Sequence, residues 1–321
     1  MRIIFTGLVT LFFTGVFAGL PDGPVLHFGD PDAAVYDLCF SPKGKILFVA
    51  GGNQIHAYCV DNQQLVAEFR DGHSRQVMSL DLSRDSSLLV SGGKDSLVVL
   101  WDLKQRDIIS RKSYHSGMVT AVKVSPGRRY LASGATDHRV IVYDLQKDRV
   151  IHTFADHNED ITSVDFNPGG NILATSGGDG IIHLYNLESG ERIASLSEHT
   201  DWVREVAFCP DNQRLISCGD DSKVILWDVH SPEPVYSKVI RQGRNWLLSA
   251  QFSPDFEAYA VGSFSGVLKV YTPHTELRYN LRGAIFQVMF VPDETRLKIA
   301  LATRENGVLI IPAGEMKYKE R

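Results

Sequence analysis

Residues 157–199 read HNEDITSVDFNPGGNILATSGGDGIIHLYNLESGERIASLSEH. The stretch begins and ends on a histidine. Between them lie four short runs rich in Val, Ile, Leu and aromatic residues: Ile161 to Phe166, Ile172 to Ser176, Ile181 to Asn186 and Arg192 to Leu196. Each run has the length of a strand and is too short for a typical helix. Phe166-Asn167-Pro168 marks the tight reversal that closes a hairpin. The segment therefore predicts a four-stranded antiparallel sheet.

Working outward, the unit repeats. His73, His115, His157 and His199 are each 42 residues apart, and each is followed nine residues later by an apolar anchor at Leu82, Val124, Phe166 and Phe208. The same anchor recurs at Phe40, Phe252 and Phe290, which makes seven units. A four-stranded sheet cannot bury both of its faces alone, so seven of them must stack face to face around an axis. The predicted fold is all-β: a seven-bladed β-propeller of four-stranded antiparallel blades over residues 19–313.

The repeat resembles the WD-repeat family, in which a Gly-His or similar pair opens the unit and Trp-Asp closes its third strand. The residues that carry the resemblance are His73 with Trp101-Asp102, His115 with Tyr143-Asp144, His157 with Tyr185-Asn186, and His199 with Trp227-Asp228. The first, sixth and seventh units keep the hairpin rhythm but lack the opening His, and Tyr58 is followed by Cys59 where the family has Asp. The resemblance also implies a clasp. Pro24 to Asp30 aligns with the outer strands of later units, and in this family such a strand completes the last blade, here beside Val308 to Ile311.

Four units contain a hydroxyl, a histidine and a carboxylate that imitate a hydrolase triad: Ser91, His73, Asp95; Ser133, His115, Asp137; Thr175, His157, Asp179; Ser217, His199, Asp221. Repetition at constant offsets argues against four active sites. The sets resemble the family's structural hydrogen-bond chain, completed by Trp101 and Trp227, which links the loop before a blade to its second and third strands. Replacing Trp by Tyr143 and Tyr185 requires the chain to end differently in two units. Nothing supplies an oxyanion hole, and no Gly-rich phosphate loop opens a helix. His27, His56, His138, His152, His183, His230 and His274 show no paired ligand spacing, so the sequence offers no metal site, no cofactor and no catalytic residue.

Function is expected at the loops, which a rigid sheet scaffold holds in place. Six residues before the anchors lie Ala34, Gln76, Met118, Asp160, Trp202, Trp246 and Ala284, so tryptophans fall in adjacent blades. The second rim loop carries Lys94, Thr136, Gly178, Asp220 and Phe264. Trp202, Trp246 and Phe264, with Arg204, Asp220 and Arg244, form the candidate site for a protein or peptide partner, because aromatic residues and Arg dominate interaction hot spots. The competing reading is that the tryptophans cover the core between blades. Two other classes stay open: an enzyme using the central channel through Asp37, Asp81, Asp165 and Glu205, and a structural subunit of a membrane-linked assembly.

The N-terminus reads differently from the repeat. Arg2, the apolar run Ile3 to Phe17, and Val16-Phe17-Ala18 before Gly19 have the layout of a secretory signal peptide, residues 1–18, cleaved after Ala18. The alternative is an uncleaved signal anchor over residues 3–20, the one case in which a membrane becomes a partner. The expected location is therefore exported, secreted or periplasmic, with membrane-anchored or cytoplasmic as alternatives. Residues 314–321 form a short basic tail with Lys317, Lys319 and Arg321. The net charge is −5 and the other basic residues are scattered, which argues against nucleic acid as a partner. Cys39, Cys59, Cys209 and Cys218 have no metal-ligand spacing and are expected as buried free thiols.

Overall fold

The computed structural model describes residues 26–28, 34–230, 235–241, 245–274, 276–292 and 298–312. These residues form strands and turns, with no helix among them. Every strand belongs to a four-stranded antiparallel sheet, and there are seven sheets. Strand β1 (Leu26–Phe28) precedes the first complete sheet. Blade 1 holds β2 (Val35–Phe40), β3 (Ile46–Gly51), β4 (Gln54–Cys59) and β5 (Leu65–Phe69). Blade 2 holds β6 (Val77–Leu82), β7 (Leu88–Gly93), β8 (Val98–Asp102) and β9 (Asp107–Lys112). Blade 3 holds β10 (Val119–Val124), β11 (Tyr130–Ala135), β12 (Val140–Asp144) and β13 (Arg149–Phe154). Blade 4 holds β14 (Ile161–Phe166), β15 (Ile172–Gly177), β16 (Ile182–Asn186) and β17 (Arg192–Leu196). Blade 5 holds β18 (Val203–Phe208), β19 (Arg214–Gly219), β20 (Lys223–Asp228) and β21 (Val235–Arg241). Blade 6 holds β22 (Leu247–Phe252), β23 (Tyr259–Ser263), β24 (Val267–Tyr271) and β25 (Glu276–Asn280). Blade 7 holds β26 (Ile285–Phe290), β27 (Lys298–Thr303) and β28 (Val308–Pro312), and its fourth strand is β1.

The clasp is thus made in the last blade: Leu26 pairs with Ile310, His27 with Leu309 and Phe28 with Val308. The Phe28 ring is buried in a cluster with Val35, Leu38, Val49, Val308 and Ile310, joining blades 7 and 1. Its edge meets the Tyr58 ring at 5.8 Å.

In blades 2 and 3 burial is greatest in the two middle strands and least in the outermost. Strands β7 and β11 are buried at every residue, whereas β9 alternates between exposed and half-buried. Core clusters lie between blades, as a face-to-face stack requires: Phe48, Ile55 and Phe69 of blade 1 pack on Leu80, Leu89 and Trp101 of blade 2. All four cysteines are free. Cys39, Cys209 and Cys218 are buried. Cys59 corrects the expectation: at the end of β4, in place of the family's Asp, it is only half-buried.

The register of every innermost strand shifts near its start, between Val77 and Ser79, Val119 and Ala121, Ile161 and Ser163, Val203 and Glu205, Leu247 and Ser249, Ile285 and Gln287, and over a longer gap between Val35 and Leu38. A bulge re-aims the extra side chain. The bulged positions include Tyr36, Thr120, Thr162, Arg204 and Phe286.

Candidate functional site

The four hydroxyl, histidine and carboxylate sets come together within single blades. His73 places Nε2 2.7 Å from Ser91 Oγ and Nδ1 2.9 Å from Asp95, whose other oxygen accepts the Ser74 N–H at 2.8 Å. His199 places Nε2 2.8 Å from Ser217 Oγ and Nδ1 3.0 Å from Asp221, which accepts the Thr200 N–H at 3.0 Å. Trp101 and Trp227 each donate Nε1–H to the hydroxyl oxygen at 2.9 Å. With its oxygen so occupied, the hydroxyl gives its hydrogen to His Nε2, and the imidazole carries its proton on Nδ1, toward the carboxylate. His115 repeats the pattern with Ser133 at 2.8 Å and Asp137 at 3.1 Å, and His157 with Thr175 at 2.9 Å and Asp179 at 2.9 Å.

In blades 3 and 4 the chain ends differently, because Tyr replaces Trp. Tyr143 donates to Asp148 and accepts from Lys112 at 2.8 Å, while Tyr185 donates to Asp156 at 2.9 Å.

The order of atoms copies a hydrolytic triad, but Ser91, Thr175 and Ser217 are 0% exposed, and no substrate carbonyl can reach such a hydroxyl. Burial pulls His73 and His115 below the ordinary imidazole range against their carboxylates. Burial alone raises Asp221, but His199 and the loop N–H groups outweigh it and hold the carboxyl at about 2. Replacing Asp221 by Ala is expected to cost about 1–3 kcal/mol in chemical denaturation, since it strands the His199 donor and a loop N–H. A variant with wild-type stability contradicts a structural role.

The two rim loops of a blade are tied by one backbone bond, in which the second loop donates N–H to the carbonyl of the first. The pairs are Lys94 to Gln76, Thr136 to Met118, Gly178 to Asp160, Asp220 to Trp202, Phe264 to Trp246 and Arg304 to Ala284. The aligned rim positions are therefore neighbours in space, and two clusters result. At the entry to blade 5, Arg204 leaves its bulge and forms a two-pronged salt bridge with Asp220, at 2.8 and 2.5 Å. Its guanidinium lies 4.7 Å from the Trp202 ring. That ring covers Gly178 of blade 4 so closely that a Cβ there would come within 2.8 Å of it. Trp202 is thus half-buried against the neighbouring blade, and Asp220 is paired with Arg204.

On blade 6 the arrangement is open. Trp246 is 50% exposed, Phe264 is 44% exposed, and their ring centroids are 5.4 Å apart. Arg244 lies outside the described residues. Sequence reasoning missed the stack of Tyr36 on Phe286, with centroids 4.8 Å apart, and Lys94 Nζ 5.5 Å from the Tyr36 ring. Both aromatics occupy the same inner-strand column as Arg204, which was the available signal.

The inner-strand carboxylates Asp37, Asp81, Asp165 and Glu205 all act on the charge of Lys123. Each reaches to the next blade and accepts a backbone N–H: Asp37 from Leu80 at 2.7 Å, Asp81 from Val124 at 2.7 Å, Asp165 from Phe208 at 2.7 Å and Glu205 from Ala250 at 2.9 Å. Ser79 and Ser249 do the same for Val122 and Val288. They are staples between blades. Burial pushes Asp37 and Asp165 up to about 6 and Glu205 up to about 7, against the donors that each accepts and the charge of Lys123. Burial works against the charge on Lys123, yet these carboxylates together with Asp81 raise it.

Blade 4 holds one more departure. His183 stands opposite Thr175 in the register, where the other three sets carry Val99, Ile141 and Ile225. Its ring is 4.5 Å from that of His157. Nδ1 lies 2.9 Å from Ser195 Oγ, and Nε2 is buried with no partner. Burial, reinforced by His157 and Arg192, holds His183 down at about 4.

Residues 33–233, more than half of the chain, match the family model described as nucleolar protein 10-like, N-terminal domain, a β-propeller. The chain belongs to this WD-repeat propeller family. Among individual WD-repeat proteins it is similar to the WD repeat domain-containing protein 83 homolog of Dictyostelium discoideum, 30% identical over 87 residues, 27% of this chain and 27% of that protein. It is 40% identical over 83 residues to transcription factor unc-37 of Caenorhabditis elegans, 25% of this chain and 13% of that protein. It is 30% identical over 78 residues to the intraflagellar transport protein 122 homolog of Xenopus tropicalis, 24% of this chain and 6% of that protein. The matched segments thus span about a quarter or less of each relative. For a WD-repeat propeller, this architecture supports protein–protein interaction in general.

Proposed function

We propose that the chain is a non-enzymatic scaffold that binds a protein or peptide through the loop rim of blades 5 and 6, with Trp246 and Phe264 as the apolar contact and Trp202 and Arg204 at its border. The observation that carries this reading is the Trp246 and Phe264 pair: two large aromatics in contact, each about half exposed, on loops tied together by a backbone bond. Such side chains lose little entropy on binding, and truncating them is the usual way to remove most of an interface's energy. The hydroxyls of the buried triads and the channel carboxylates are already spent on structure, which supports the non-enzymatic part.

The double variant Trp246→Ala, Phe264→Ala is expected to weaken a partner recovered by crosslinking from the native source by about 100-fold in Kd, with an unchanged melting temperature. Wild-type affinity in that variant, with the partner still crosslinking elsewhere, overturns the site. Export belongs to the same proposal and rests on the layout of residues 1–18, which lie outside the described residues. N-terminal sequencing of the natural protein checks it: a start at Gly19 supports export, and a retained Met1 points to a membrane-anchored or cytoplasmic scaffold.

A further inference from the structure

We propose that blade 4 carries a site for a divalent transition metal of the zinc class, built from His183 Nε2, His157 Nδ1 and a carboxylate oxygen of Asp179. One ligand atom from each of these residues lies within 4.8 Å of the others. In a tetrahedral zinc site such atoms are about 3.4 Å apart, so small side-chain rotations close the cage. Two imidazoles and one carboxylate leave a fourth position for solvent, the ligand set of an open zinc site. Asp179, in the turn between β15 and β16, is the least buried of the three and gives the entry path.

Three observations converge on this blade alone among the four sets. First, the other sets place an aliphatic side chain opposite the hydroxyl, and here His183 replaces it. Second, His183 is 3% exposed, yet its Nε2 has no partner, and a buried imidazole nitrogen left alone is costly. Nδ1 of His183 is hydrogen-bonded to the Ser195 hydroxyl, and the tautomer that donates there leaves the Nε2 lone pair available for a ligand, as second-sphere partners of metal-bound histidines do.

Third, the tautomer lock is missing. In blades 2 and 5 a Trp N–H fills the hydroxyl oxygen and forces the His proton onto Nδ1. In blade 4 the tyrosine phenol instead donates to Asp156, with the Thr175 hydroxyl as a further hydrogen-bond neighbour. Thr175 can therefore turn its hydrogen toward the phenol oxygen and accept from His157 Nε2. The single proton of neutral His157 then moves from Nδ1 to Nε2, and Nδ1 is free to coordinate. Blade 3 also lacks Trp, but Ile141 stands where the second imidazole is needed.

The test uses the full chain, stripped with a chelator and titrated with ZnCl2 by calorimetry, with Co2+ as an optical probe. The expected result is uptake of one Zn2+ per chain, a rise in melting temperature on loading, and visible absorption of tetrahedral Co2+. His183→Val, which installs the blade 2 residue, is expected to fold with equal or higher metal-free stability and to lose at least about 100-fold in affinity. Tyr185→Trp leaves all three ligands in place, restores the lock, and is expected to weaken uptake by about ten-fold. Absence of uptake by the wild-type chain overturns the proposal, as does undiminished uptake by His183→Val. Undiminished uptake by Tyr185→Trp overturns the role given to Thr175.

Discussion

A chain lacking residues 19–30 is expected to melt on the order of 10 °C below the full chain, and to aggregate on heating where the full chain does not. Strand β1 contributes three paired residues to blade 7 and one large side chain to the seam. Phe28 is 2% exposed, and losing a buried Phe costs about 3–5 kcal/mol on its own. Its removal also bares the edge of β28, whose Val308, Leu309, Ile310 and Ile311 are buried in the closed ring. An apolar edge of that kind is a template for pairing between chains. More broadly, the clasp turns a row of blades, each held only by its neighbours, into a ring in which the last blade holds the first. Scanning fluorimetry on the deletion variant and on Phe28→Ala checks this. If both melt like the wild type, blade 7 is stable with three strands and the closure lies elsewhere.

The fold was legible because a repeat multiplies weak evidence. A single run such as Ile172 to Ser176 is ambiguous, but seven anchors, four of them with His at a fixed offset, are not. The strand bounds differ from the observed ones by a residue, as at β15 and β16. The candidate site was legible only in part. Alignment placed Trp202 and Trp246 in one column and so treated them alike. Their environments differ because Gly178 leaves a platform beneath Trp202, whereas Trp246 meets the exposed Phe264.

Asp220 shows the same limit. Its column marks a rim position, but the bulge at Arg204 turns a guanidinium onto it, and a bulge changes the side-chain direction without leaving a mark in the alternation. The clustering of His157, Asp179 and His183 was also hidden, because the three residues come from a loop, a turn and a strand whose sequence separations match no ligand motif. The inner carboxylates carry a related limit: period-two alternation says which face a residue takes, but not that its oxygen reaches the next blade's backbone.

Those staples lead to the second large effect. Glu205→Gln is expected to be more stable than the wild type by about 3 kcal/mol at pH 8 and equal to it within about 1 kcal/mol at pH 4.5. Burial raises the Glu205 carboxyl from 4.5 to about 7, against Ser249, Gln251, the Ala250 N–H and Lys123. A carboxyl whose folded value lies above its unfolded one binds its proton more tightly when folded. It therefore carries no penalty at pH values below about 4.5, loses stability as pH rises between 4.5 and 7, and carries the full penalty above 7. That span corresponds to about 3 kcal/mol.

An amide keeps an oxygen for the Ala250 N–H at 2.9 Å and has no charge to bury, and Gln251 and Gln287, at 3.1 and 3.4 Å from the carboxylate, can turn their own amides to meet it. Asp37 and Asp165 shift in the same direction and His183 in the opposite one, so the wild-type profile alone mixes several slopes. The difference between variant and wild type in urea denaturation, measured from pH 4.5 to 8, isolates this residue. A Gln variant that is less stable at pH 8 means that Lys123 and the staple donors hold Glu205 ionised, and the inner ring then stands on charge pairing instead of shared protons.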